Sequence, residues 1–153
     1  LRQLASWLLT GAGEKQSVLL RLVGGLWARH GREDVALAAI LLANLDHSRL
    51  GSDPWQVLAS STRGVEPAEA LLLSIEELLR AGRGMPSEAV LLQWCEGRAV
   101  DAHMALLASY AGSVRGSEPS ASLRSTLASL EVPVGDSLLG RVKQRLLSPE
   151  AQD

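Results

Sequence analysis

The sequence predicts an all-α chain, a HEAT-like helical-repeat solenoid (an α–α superhelix) of about four helix pairs, and three observations carry that expectation. Pro54, Pro86 and Pro119 each follow a Gly- or Ser-rich breaker and open an apolar-periodic stretch, at spacings of 32 and 33 residues. A fixed period of roughly 20–50 residues marks stacked units, none of which buries its apolar face alone. The 46% apolar content is mostly Leu, Ala and Val, with no Phe and only Tyr110 as tyrosine. Ala, Leu, Arg and Glu lead the helix-propensity scale. Nowhere does the chain show the strict alternation of a strand.

The elements follow in order. Residues 1–10 read as a short helix ended by Gly11-Ala12-Gly13. From Glu14 to His30, Val18, Leu19, Leu22, Val23, Leu26 and Trp27 recur at helical spacing, with Gly31 as a left-handed stop. Arg32 to Asp46 is a second helix, apolar nearly all round from Val35 to Leu45, and so expected inside the stack. Gly51-Ser52-Asp53-Pro54 breaks the chain, and Asp53 is placed to cap a helix from Pro54 to about Ser61. Pro67 opens the next helix, to Arg80, and Met85-Pro86-Ser87 opens another, to Glu96, paired with Ala99 to about Val114. Gly112 to Ser122 reads as a polar loop before a last pair, Ser120 to Leu130 and Val134 to Leu147. One domain over 1–148 and a polar tail over 149–153 complete the expectation.

Composition narrows the function classes. Net charge is −2, and only Lys15 and Lys143 among the 15 basic residues are lysine. The balance lacks the strongly basic signature of a general nucleic-acid binder, although arginines could still gather on one face. Cys95 stands alone, and His30, His47 and His103 show no ligand spacing, so neither a disulfide framework nor a metal site is expected. The apolar run Val35 to Leu45 is shorter than the ~20 residues a membrane span needs. No Gly-rich phosphate loop or nucleophile elbow occurs, so no cofactor is expected. With no signal pattern at the start, a cytoplasmic location is the expectation. Leu1 in place of Met implies a trimmed chain or a fragment.

Three stretches within 14–114 carry a resemblance: Leu26-Trp27 with Gly31-Arg32-Glu33-Asp34 and Ala38-Ala39; Val65-Glu66-Pro67-Ala68-Glu69-Ala70-Leu71; and Gln93-Trp94-Cys95-Glu96-Gly97 with Ala102 to Tyr110. Together they resemble the AlkD-like family of DNA alkylation repair proteins, HEAT-like repeat glycosylases that release N-alkylated purines. The resemblance covers about two-thirds of the chain. It implies a DNA-binding or DNA-repair protein, with duplex DNA as partner and hydrolysis of an N-glycosidic bond as the reaction. Glu69 falls on the family's catalytic Asp, with Glu66 beside it. Arg63, Arg98, His103, Arg141 and Arg145 would contact the backbone, and Glu69→Gln would abolish base release without unfolding the chain.

The sequence also departs from the family. Val65 stands where a cleft Trp is expected, His103 where a DNA-contacting Arg is, and Val100 where an aromatic is. Reduced or lost excision is therefore part of the expectation. Each candidate also has a plainer role. Glu66 and Glu69 can meet the positive end of a helix dipole, for ~0.3–1 kcal/mol each. His103 can be a hydrogen-bonded, partly buried side chain. Trp27 and Trp94 can be core residues, whereas Trp55, directly after Pro54, is expected to be the exposed one. The arginines can form a solvated face, Arg32 pairing with a nearby carboxylate, and Cys95 can be a buried thiol. The second function class is accordingly a non-catalytic helical-repeat scaffold holding a protein partner on its concave face.

Overall fold

A computed structural model describes residues 1–13, 15–29, 31–133 and 137–147. Among the described residues every regular element is helical: α1 (Arg2–Ala12), α2 (Gln16–Arg29), α3 (Arg32–Asn44), α4 (His47–Leu50), α5 (Pro54–Ser61), α6 (Ala68–Arg80), α7 (Glu88–Cys95), α8 (Ala99–Val114), α9 (Ala121–Ala128) and α10 (Leu138–Leu147). The all-α class is as expected. The expected tail at 149–153, the histidine at 30 and the start of the last helix at 134–136 lie outside the described residues.

The chain divides into two compact units, Leu1–Glu66 with Leu73–Gly84 and Pro67–Leu72 with Met85–Asp153. Each is organised around one helix that the sequence made apolar nearly all round. In the first, α3 packs against α1, α2 and α5 and buries Val35 and every residue from Leu37 to Ala43. In the second, α8 packs against α7 and α10 and buries nine residues, among them Met104 to Ser109. A helix apolar on every side has no stripe to offer solvent, so burial is its only favourable place.

A buried helix must also find partners for the carbonyls of its last turn. In α3 they are found one by one. Leu45 N–H donates to Leu41 O at 3.1 Å. His47 Nε2 lies 2.6 Å from Leu42 O, while its Nδ1 lies 2.8 Å from Ser52 Oγ. Facing a carbonyl, Nε2 carries the hydrogen and Nδ1 accepts from the serine hydroxyl. Arg83 then reaches back across 40 residues, donating from Nε to Ala43 O at 2.7 Å and from Nη2 to Leu45 O at 2.6 Å. Trp55 closes the same unit, donating from Nε1 to Gly84 O at 2.9 Å.

Several local expectations need correction. Pro54 does occupy the first turn of α5 behind the Asp53 cap. Pro86 and Pro119 instead precede the caps Ser87 and Ser120, whose hydroxyls accept from Val90 and Leu123 N–H. Ring constraint suits the residue before an extended cap as well as the first helical turn, so the common proline hides two registers. Gly31 is an extended N-cap of α3 (φ −68°, ψ 146°), not a left-handed stop. Trp55 is 4% exposed rather than open, because its indole N–H has a carbonyl partner within the unit. Arg29, not Arg32, bonds Asp34, at 3.2 Å. The expected loop from Gly112 starts later, since α8 runs on to Val114.

Removing the fork over α3 should be costly, since hydrogen bonds from a charged donor are worth about 1.5–3 kcal/mol each. Arg83→Ala is expected to lower unfolding stability by about 3 kcal/mol, read as a urea midpoint shift at constant m. Arg83→Lys should recover only part, because an ammonium cannot span two carbonyls as the guanidinium does. A loss below ~1 kcal/mol in Arg83→Ala would show that water replaces the fork.

Candidate functional site

The two acidic candidates part company in the structure. Glu66, before α6, is half-buried and accepts from Trp27 Nε1 at 3.0 Å, Arg63 N–H at 2.6 Å and Gly64 N–H at 2.9 Å. Burial pushes its carboxyl up, but the Arg63 backbone, the Trp27 indole, its own backbone and the Gly64 backbone together hold it below the ordinary 4.5. It therefore stays ionised and closes the 63–66 turn, where Gly64 adopts φ 87°. Glu69 is exposed in the first turn of α6, where a carboxylate meets the positive end of the dipole. Val65 is exposed.

Among the basic candidates, Arg98 and His103 have identified partners. Arg63 is exposed, and its backbone belongs to the Glu66 turn. Arg98 grips Asp101 through Nη2 at 2.8 Å and Nε at 3.0 Å, while its own N–H meets the same carboxylate at 3.1 Å. His103 is half-buried on α8. Burial lowers its proton affinity, and a hydrogen bond with the Glu131 backbone opposes that in part. Arg141 and Arg145 are exposed along α10, Arg145 in its last turn. Elsewhere Arg2 pairs with Glu77 at 2.5 Å and Arg124 with Glu118 at 3.1 Å.

The aromatics divide likewise. Trp27 and Trp94 are buried, as core packing requires, and Trp7 is 70% exposed. Cys95 is half-buried, and burial with the neighbouring Glu96 charge raises its thiol, so it is not an activated nucleophile. Among the described residues no three His, Cys, Asp or Glu side chains gather as a metal cage.

Two features escaped the sequence. On α1, at 100° per residue, Leu8, Leu4 and Trp7, with the N-cap Leu1, extend the apolar sector well beyond the buried Ala5. In the second unit, a cavity of about 260 Å³ opens between the start of α7, α8 and the 117–120 segment, with buried Ser109 among its lining. A serine within the apolar run Leu106–Ala111 was the available signal. The chain matches no family model, no curated protein and no solved structure.

Glu66 yields a pH prediction. Its folded value is depressed, so its stabilisation is complete above ~4.5 and is lost as pH falls through the lower folded value. Glu66→Gln is expected to cost about 1–3 kcal/mol at pH 7, since an amide nitrogen would face backbone donors. Urea midpoints of wild type and variant should converge as the pH falls through the folded value, below 4.5. A gap that stays constant with pH would show that the charge is immaterial.

Proposed function

We propose that this chain is a HEAT-like helical-repeat module that binds a protein partner and does not excise bases. The observation that carries the reading is the unused apolar face of α1, where Trp7 and Leu4 project beyond the helix's packing edge. Large aromatics are enriched at the centres of protein interfaces, where they fill pockets on the partner. Supporting it, α7 with α8 and α9 with α10 repeat a Pro-Ser capped short helix packed with the helix after or beside it.

The charge arrangement points the same way. A phosphate-tracking face needs several uncommitted cations, and each one used steepens the salt dependence of binding. Here Arg2, Arg29, Arg98 and Arg124 bond carboxylates, and Arg83 is committed to α3. Three of the four tryptophans are buried and offer no platform for a base. Glu66, with its three donors, is a structural carboxylate. The DNA-repair reading keeps the family resemblance and the exposed Glu69.

Two measurements test the proposal. Fluorescence anisotropy with undamaged duplex and with duplex carrying an abasic-site analogue should show no binding at low salt. Salt-sensitive binding that prefers the damaged duplex would overturn the proposal and bring Glu69→Gln into a base-release assay. Leu4→Ser with Trp7→Ser should shift stability by no more than ~0.5 kcal/mol per site, as surface positions do. A loss of several kcal/mol would show that this face serves the core instead, and the proposal would lose its footing.

A further inference from the structure

The second unit holds an unexplained polar atom. Ser109 lies in the middle of α8, 2% exposed, and its Oγ has no hydrogen-bond partner. A helical serine ordinarily turns its hydroxyl back to the carbonyl one turn earlier. This one lines the cavity of about 260 Å³. Buried polar groups are nearly always paired, so an orphan hydroxyl on a residue in the wall of a cavity marks a place that something else completes.

The lining says what that is. Met85, Leu91 and Leu123 supply apolar wall, and Leu91 and Leu123 are buried. Glu88 and Glu118 are the charged residues of the lining, both exposed, and Arg124, outside the lining, pairs with Glu118 and leaves Glu88 as the carboxylate there without an ion-pair partner among the described residues. Glu88 already accepts the Ser120 hydroxyl, and Glu118 accepts from Ser113 Oγ at 3.0 Å and from Arg124. A carboxylate has about four acceptor positions, so both retain capacity. The site thus offers acceptors, negative charge and an apolar wall.

We infer that this cavity binds a primary ammonium carried on a compact apolar body, the body against Met85, Leu91 and Leu123, the charge beside Glu88 and Glu118, and Ser109 Oγ completed by the ligand. The volume admits roughly ten non-hydrogen atoms, at liquid-like packing. Such a group is found on a free small amine or at the end of a lysine side chain. The inference is independent of the α1 face.

Benzylamine is the free-amine probe and Nα-acetyl-lysine methylamide the lysine probe, with benzyl alcohol and benzoate as neutral and anionic controls. In 1H–15N NMR titrations of the whole chain, one of the amines should saturably shift the amides of Met85, Glu88, Ser109, Ser117, Glu118 and Ser120. The affinity should be roughly millimolar, and benzoate should shift nothing there. The amine that binds more tightly identifies the source. Glu88→Gln should weaken the amine about tenfold and leave benzyl alcohol unchanged. Ser109→Ala should weaken it about threefold or more, while raising the ligand-free Tm by about 2–4 °C, because an unsatisfied buried hydroxyl is removed. Shifts that map elsewhere, equal response to benzoate, no response from either amine up to tens of millimolar, or a lower Tm in Ser109→Ala would overturn the inference.

Discussion

The carbonyl end of α3 is the constraint on which the first unit depends. A helix this apolar gains by burial, at about 25 cal/mol per Å² removed from water, only if its polar end is not buried unpaired. Water cannot serve the carbonyls of Leu42 and Ala43 once the helix is surrounded, so side chains do. His47, in the short α4, serves one, and Arg83, beyond α6, serves another together with Leu45. The same two contacts tie the segments after α3 and after α6 to one point. Burial is the first and largest influence on His47 and lowers its proton affinity, opposed by the Leu42 bond. The ring accordingly stays neutral, with one nitrogen as donor and the other as acceptor.

Much of this architecture is legible in the sequence because helices report themselves by period, and caps by residue type. α2, α3, α5, α6 and α8 were readable from apolar spacing and from the Asp53 signal. Harder to read were features set by partners distant in sequence. Trp55 looked open because it follows a proline, and only the Gly84 carbonyl, 29 residues away, explains its burial. The prolines show a subtler failure. Their even spacing is real, but Pro54 lies inside its helix and Pro86 and Pro119 lie outside theirs, positions that the same ring geometry suits. Spacing alone cannot separate them.

The candidate site was less legible, for the same reason. Residue type gives charge but not what that charge already holds. Glu66 and Glu69 are three residues apart and look alike, yet one is wrapped by three donors and the other faces solvent. Arg98 looked like a backbone contact and instead spends its guanidinium on Asp101, three residues on. A resemblance read from short motifs transfers the residues and not these commitments. Catalysis depends on the commitments, since a reacting carboxylate must aim an unshared oxygen at the substrate.

The two central helices finally invite comparison. Both are buried nearly all round, so both face the same rule that polar atoms without water need partners. In α3 the rule is met at Leu41, Leu42 and Ala43, even by an arginine recruited from 40 residues away. In α8 it is broken at Ser109, although alanine, a better helix former, flanks the serine one residue before and two after. A fold that satisfies its buried carbonyls over such distances is poorly explained as careless at one hydroxyl. The exception also coincides with the cavity, and with a wall of two carboxylates. Stability alone would favour a smaller and apolar residue there, so the hydroxyl is better understood by what enters the cavity than by what holds the helix.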